Sequence, residues 1–167
     1  MKDKTTLHLL DNIGWKIVVE LQQDARIPFA ELGRRVGLST PAVAERVRRL
    51  EDAGIIVGYH AEVDHSKLGF PLLAFVRVNV LGHELSRFTK KADERPEVLE
   101  VHRVTGAESF IIKVAVRDQA HLEKVIDSLM PYVATTTSMV LSSSLTWKCT
   151  NPEEAHEQGV LPPVLTK

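Results

Sequence analysis

One cysteine, Cys149, stands among 167 residues, so no internal disulfide can form and no cysteine-rich zinc site is available. A reducing, cytosolic compartment is expected. Aromatics are scarce at 5%, so aliphatic side chains must fill whatever core forms. Neither sign of charge dominates: 21 Lys and Arg face 22 Asp and Glu, a formal net charge of -1. Any affinity for nucleic acid must then come from a local cluster rather than from the whole chain. Nowhere do 18 consecutive apolar residues occur, and no basic start leads into an apolar run. A soluble, unexported, cytoplasmic protein with no membrane partner is the expectation.

Several chemistries lack their residues. There is no phosphate-binding glycine loop, no Gly-x-Ser-x-Gly elbow and no Cys/His nucleophile pattern. His60, His65, His83, His102 and His121 form no pair at the helical i, i+4 spacing of metal ligands. No catalytic residue, metal or cofactor is expected.

What is present begins as three short helices. Asp11 is a plausible N-cap, and Ile13, Ile17, Val18 and Leu21 recur at helical spacing. The turn Gln23-Asp24-Ala25-Arg26 closes that helix. Pro28 suits the opening turn of a second, whose Leu32 and Val36 face inward and whose Gly37 suits a left-handed cap. Ser39 and Pro41 open a third, with Val43, Val47 and Leu50 as its buried stripe and Gly54 as its stop. Ile55, Ile56, Val57 and Tyr59 then read as an extended segment, giving a winged helix-turn-helix.

Beyond the polar stretch 64–69 the period changes to two. Leu72, Ala74, Val76, Val78 and Val80 alternate with Leu73, Phe75, Arg77 and Asn79. An amphipathic helix on Leu85, Phe88 and Ala92 follows, ending before Pro96. Strands at 98–105 and 110–116 are joined through Gly106-Ala107-Glu108-Ser109. Asp118 caps a helix carrying Leu122, Val125, Ile126 and Leu129, Pro131 ends it, and 135–147 reads as a last long strand. The order β-α-β-β-α-β is that of a ferredoxin-like sandwich, so the fold class is α+β. The expected domains are a DNA-binding unit at 1–60, a linker at 61–70, a sheet domain at 71–150 and a partly disordered tail at 151–167.

From Arg34 to Arg49 there are five arginines, Arg34, Arg35, Arg46, Arg48 and Arg49, against the single acid Glu45. Arginine can neutralise phosphate and can bond guanine at two points. The free N–H groups opening the third helix, with the Ser39 and Thr40 hydroxyls, can grip a phosphate. On a helical wheel Pro41, Glu45, Arg48 and Arg49 oppose the buried stripe, while Arg46 lies on the flank. Arg26 either contacts a DNA backbone or caps the first helix. The competing reading is a solvated face in which Arg46, Arg48 and Arg49 pair with Glu45, Glu51 and Asp52. Should these arginines be engaged in intramolecular carboxylate bridges, or packed permanently beneath a neighbouring subunit, the DNA-binding reading collapses.

The runs Leu-Gln-Gln-Asp-Ala-Arg-Ile at 21–27, Val-Gly-Leu-Ser-Thr-Pro at 36–41, Glu-Arg-Val-Arg-Arg-Leu-Glu at 45–51 and Gly-Ile-Ile-Val-Gly-Tyr at 54–59 resemble the Lrp/AsnC (leucine-responsive/asparagine-type) regulators. Pro96-Glu97-Val98, Val104-Thr105-Gly106 and the closing strand near Lys148 resemble that family's effector module. The resemblance implies a prokaryotic, nucleoid-associated transcription regulator. It would be dimeric through the sheet domain and assembled further into tetramers or octamers, with double-stranded DNA and an amino-acid-like effector as partners. It also implies a helix-turn-helix over about 29–48, a recognition helix at 40–53, and an effector region at Gly106, Ala107, Glu108, Ser109, Thr135 and Thr137. The chain departs from the family pattern at Ser109, where an aspartate is usual, and at Gly14, where another acid is usual. Sirohaem decarboxylases share the architecture, but their aromatic segment is replaced here by Ala-Glu-Ser-Phe-Ile at 107–111. An architectural DNA binder without a ligand shares every feature of the first domain.

Overall fold

A computed structural model describes residues 8–129 and 133–150; the expected tail at 151–167 and the helix stop at Pro131 lie outside the described residues. The chain divides into two compact units. The described residues of one are 8–61 and 145–150, those of the other 62–129 and 133–144.

In the helical unit, α1 (Asn12–Gln23) starts where the Asp11 carboxylate accepts the Gly14 N–H at 2.8 Å. The second helix, α2 (Phe29–Val36), ends on Gly37, whose φ of 76° is open to glycine at little cost. The third, α3 (Thr40–Asp52), is capped by Ser39, whose hydroxyl accepts the Ala42 N–H. Ile17 and Leu21 of α1, Leu32 and Val36 of α2 and Val43, Val47 and Leu50 of α3 meet in one core with Leu9 and Ile27. The turn from α2 to α3 is tight. The Leu38 N–H donates to the Gly33 carbonyl at 2.8 Å, and a Cβ on Gly33 would lie 2.6 Å from the Leu38 carbonyl oxygen.

Gly54, at φ 66°, ends the third helix, and the N–H groups of Ile55 and Ile56 both return to the Leu50 carbonyl. The segment 55–60, expected to be extended as a wing, carries no strand. A strand needs a neighbouring ladder, and no other strand exists among this unit's described residues. Tyr59 instead ties the segment to α3, its hydroxyl donating to Glu51 Oε1 at 2.8 Å.

In the other unit, β1 (Leu72–Val80) leads through a 3-10 turn (Gly82–Glu84) into α4 (Leu85–Asp93). Then come β2 (Val98–Arg103), β3 (Phe110–Val116), α5 (Gln119–Leu129) and β4 (Val133–Met139). The sheet is antiparallel with order β2-β3-β1-β4, the ferredoxin-like arrangement. Ala74, Val76, Val78 and Val80 of β1 and Phe110, Ile112, Val114 and Val116 of β3 share a core with Phe88 and Ala92 of α4 and Leu122, Val125 and Leu129 of α5. Both helices therefore cover one face. The other face carries Leu73, Phe75, Arg77 and Asn79, with Ile111 and Lys113.

The last strand is shorter than the alternation in the sequence predicts. It pairs with β1 as far as Ala74↔Met139, and Val140 N–H closes on the Leu73 carbonyl; β1 begins one residue earlier, so no partner remains. Residues 145–150, assigned by sequence to the sheet domain, belong to the helical unit. There the Gln22 amide and the Thr150 backbone exchange two hydrogen bonds, at 2.9 and 3.1 Å. No helix among the described residues is long and apolar enough to cross a membrane.

Replacing Gly33 by Ala forces backbone apart at the α2–α3 turn. A loss of about 1–3 kcal/mol of stability is expected, as for other overpacked sites. Urea unfolding followed by helical circular dichroism checks it; an unchanged midpoint contradicts the close approach.

Candidate nucleic-acid interface and effector region

The buried stripe of α3 turns its opposite side outward. Glu45, Arg48 and Arg49 are exposed there, as are Ser39, Thr40 and Pro41 at its start. The α3 N-terminus lies open, with polar hydroxyls beside it, a geometry suited to a phosphate oxygen. The Arg49 guanidinium makes no hydrogen bond or salt bridge among the described residues, although its charge is felt by Glu45. Arg26 sits exposed in the turn after α1, its backbone N–H on Asp24 Oδ1.

The remaining arginines are bridged. Arg34 forks onto both oxygens of Glu31, at 2.7 and 2.8 Å. Arg35 spans two helices, with Nε on Glu31 at 2.8 Å and Nη1 on Glu20 of α1 at 2.7 Å. Arg48 bonds Glu45 at 2.8 and 3.0 Å and Asp52 at 3.1 Å. Arg46 is placed differently: its two Nη atoms meet the two oxygens of Asp11 at 2.7 Å each, tying the middle of α3 to the start of α1.

Bridging does not withdraw all of these groups from solvent. The side chains of Arg34 and Arg48 remain 74% and 61% exposed, against 27% for Arg46. Exposed ion pairs are weakly held and can exchange one oxyanion for another. Arg34, Arg35 and Arg48 therefore keep faces open to solvent despite their bridges, while Arg46 is a clasp within the unit. Hydrogen bonds from Arg34 and then Arg35 lower the Glu31 carboxyl from 4.5 to about 2. The Arg46 fork, against partial desolvation, holds the Asp11 carboxyl below its usual range. Burial and then the Glu51 hydrogen bond push the Tyr59 phenol up to about 12.

Sequence does not single out Glu31 or Glu20, and it marks Asp11 only as a helix cap, not as a partner of Arg46. The spacing of Glu31 from Arg34 and Arg35 was a readable signal, since residues three and four apart share a helix face. Asp11 and Glu20 gave none, because only the packing of α1 brings them close.

In the sheet unit, Gly106, Ala107, Glu108 and Ser109 form the β2–β3 connection, with Gly106 at φ 121°. Ser109 fastens it to the end of β1: its N–H donates to the Val78 carbonyl at 2.9 Å, and its hydroxyl accepts the Val80 N–H at 3.1 Å. That hydroxyl donates toward the Val80 carbonyl at 3.2 Å or Asn79 Oδ1 at 3.4 Å. Thr135 lies opposite Val78 on the other side of β1, and Thr137 opposite Val76. The connection and β4 thus flank one strand, roughly 10 Å apart. They do not share a face: Thr135 and Thr137 are in register with core valines, whereas Asn79 points to the helix-free side. Glu108 is half-buried beside them. No group of three or more His, Cys, Asp or Glu among the described residues is placed to hold a metal.

Gly14, the other departure, is buried. A Cβ there would sit 1.8 Å from the Leu9 carbonyl oxygen, so no acidic side chain fits the backbone as it stands.

Profiles for the AsnC-type helix-turn-helix domain and the Lrp/AsnC ligand binding domain match residues 10–51 and 73–146. The HTH-type transcriptional regulator YezC of Bacillus subtilis, itself uncharacterized, is 39% identical over 135 residues, covering 81% of this chain and 96% of the relative. The regulator LrpC of the same organism is 37% identical over 80% of this chain and 92% of its own. Its solved structure superposes with a TM-score of 0.78 at 36% identity, over 83% of this chain and 99% of that one. A transcriptional regulator of Neisseria meningitidis, solved as a complex with L-Met, gives a TM-score of 0.77 at 27% identity over 92% and 99%. These relatives are named as transcriptional regulators.

The depressed Glu31 carboxyl has a checkable sign. Its pairing stabilises the fold fully above the ordinary value of 4.5 and is lost as pH falls toward about 2. A carboxyl-detected NMR titration is expected to find the Glu31 midpoint near 2, returning toward 4.5 in the double variant Arg34→Gln, Arg35→Gln. A parent midpoint at the ordinary value contradicts the bridge in solution.

Proposed function

Because the chain belongs to the Lrp/AsnC family of DNA-binding transcriptional regulators, we propose that α3 enters the major groove, with Arg48 and Arg49 reading base edges. Ser39, Thr40 and Pro41 set the helix start against a phosphate, and Arg26, Arg34 and Arg35 reach the backbone on either side. Glu45 accepts from a cytosine amino group or fixes Arg48. The observation that carries this reading is the outward side of α3, where Arg48 and Arg49 oppose the buried Val43, Val47 and Leu50. Arg46, held by Asp11, sets the helix rather than touching a base.

Two such helices are needed for two half-sites about 34–36 Å apart or a multiple of that spacing. The helix-free side of the sheet supplies the pairing surface: Phe75 is 39% exposed and stands beside half-buried Leu73 and Ile111. Dimers of this kind assemble further into tetramers or octamers, in the cytoplasm and on the nucleoid. The effector is an amino acid or a close analogue, bound near Gly106–Ser109 and Thr135–Thr137. The L-Met complex of the Neisseria relative supports that class. With Ser109 neutral and occupied by the β1 backbone, the Glu108 carboxylate is the group that meets the ligand's ammonium.

Arg48→Ala and Arg49→Ala are each expected to weaken operator binding by about 1–3 kcal/mol. Operators recovered from bound genomic fragments give the measurement, and two variants that bind like the parent remove the reading. Separately, calorimetry with the twenty amino acids is expected to give heat with at least one. That heat should disappear in Glu108→Gln; silence across the whole set contradicts an amino-acid effector.

A further inference from the structure

The arginines that make the sequence basic between 34 and 49 do not make the folded surface basic. Arg34 and Arg35 share Glu31, and Glu20 takes the remaining arm of Arg35. Two guanidinium groups and two carboxylates form a cluster of zero formal charge. Arg48 lies between Glu45 and Asp52, and Arg46 is matched by Asp11. Of the five arginines, only Arg49 lacks such a partner among the described residues.

An arginine already bound to a carboxylate gains little from a phosphate. The exchange trades one charge-assisted fork for another and leaves the displaced carboxylate facing a polyanion. On DNA of arbitrary sequence, phosphates are all that is offered, so the exchange is unfavourable. On an operator, base contacts made by α3 pin the unit against the duplex and supply the free energy for the swap.

We propose that Glu31 is a specificity-determining residue: as an internal counter-ion for Arg34 and Arg35, it suppresses binding to non-operator DNA and thereby widens the gap to the operator. This rests on the DNA-binding reading above and adds to it the residue that sets selectivity.

The test uses the full chain, an operator duplex recovered with the parent protein, and a scrambled duplex of the same composition. Affinities are measured across a salt series. Glu31→Gln is expected to raise affinity for the scrambled duplex roughly three- to tenfold at low salt. It should also steepen the slope of log K against log salt by about one, the signature of one further neutralised phosphate. The operator gains less, so the ratio of the two affinities narrows. Glu31→Asp keeps the charge and is expected to keep the parent's slope. Glu123→Gln, the same charge change at an exposed site in the sheet unit, controls for net charge and is expected to change neither. Arg34→Gln provides the test should Glu31→Gln not fold. It is expected to weaken operator binding more than scrambled-duplex binding, because on the scrambled duplex the arginine stays with its carboxylate and only the change in net charge is felt.

An unchanged scrambled-duplex affinity and slope in Glu31→Gln overturns the proposal, as does an equal gain on both duplexes. So does a loss on the scrambled duplex in Arg34→Gln matching that on the operator. A parent protein that retains no duplex at all removes the DNA-binding reading and this inference with it.

Discussion

The fork between Asp11 and Arg46 fixes how the helical unit presents itself. One carboxylate serves two helices: it caps α1 through the Gly14 N–H and receives both Nη atoms of Arg46 from α3. With the stripe of Val43, Val47 and Leu50 buried on one side of α3 and Arg46 held on its flank, the remaining side has only solvent to face. A recognition surface needs a fixed orientation as well as the right residues. Here the orientation comes from a guanidinium that resembles its solvent-facing neighbours in sequence and differs from them in role.

The helices were legible because their signals are local. A cap, a stripe at 3.6 residues and a stop glycine each act within a turn or two, and Asp11, Ser39, Gly37 and Gly54 stand where they were expected. The charge balance was not legible in the same way. Counted within 34–49, five arginines meet one acid, yet four further acids that pair with them stand outside that window, at 11, 20, 31 and 52. The expectation that such bridges would rule out DNA binding was too strict, since it treated an exposed pair as equivalent to a buried one. Where pairing depends on tertiary neighbours, alternation also misleads: 140–147 reads like strand, but β1 has no residues left to offer it.

In the sheet unit, sequence named two segments and left their relative geometry open. The β2–β3 connection and β4 do border the same strand, but the two threonines are in register with the helix-covered face. Ser109 explains part of the difference from an aspartate at that position. A hydroxyl can both accept from and donate to the β1 backbone, so it closes the connection onto the strand; a carboxylate could only accept there. At this position the side chain holds the loop to the strand.

Gly14 couples the first helix to the chain that precedes it. With the Leu9 carbonyl occupying the space a methyl group would need, every single substitution at 14 meets backbone before it meets solvent. No acid fits there by a single substitution. The chain preceding α1 must shift first, and that shift would disturb Asp11, two residues beyond Leu9, and with it the grip on Arg46. Position 14 is thus coupled to the segment before α1, and the glycine leaves both the Leu9 carbonyl and the carboxylate that holds α3 where they stand.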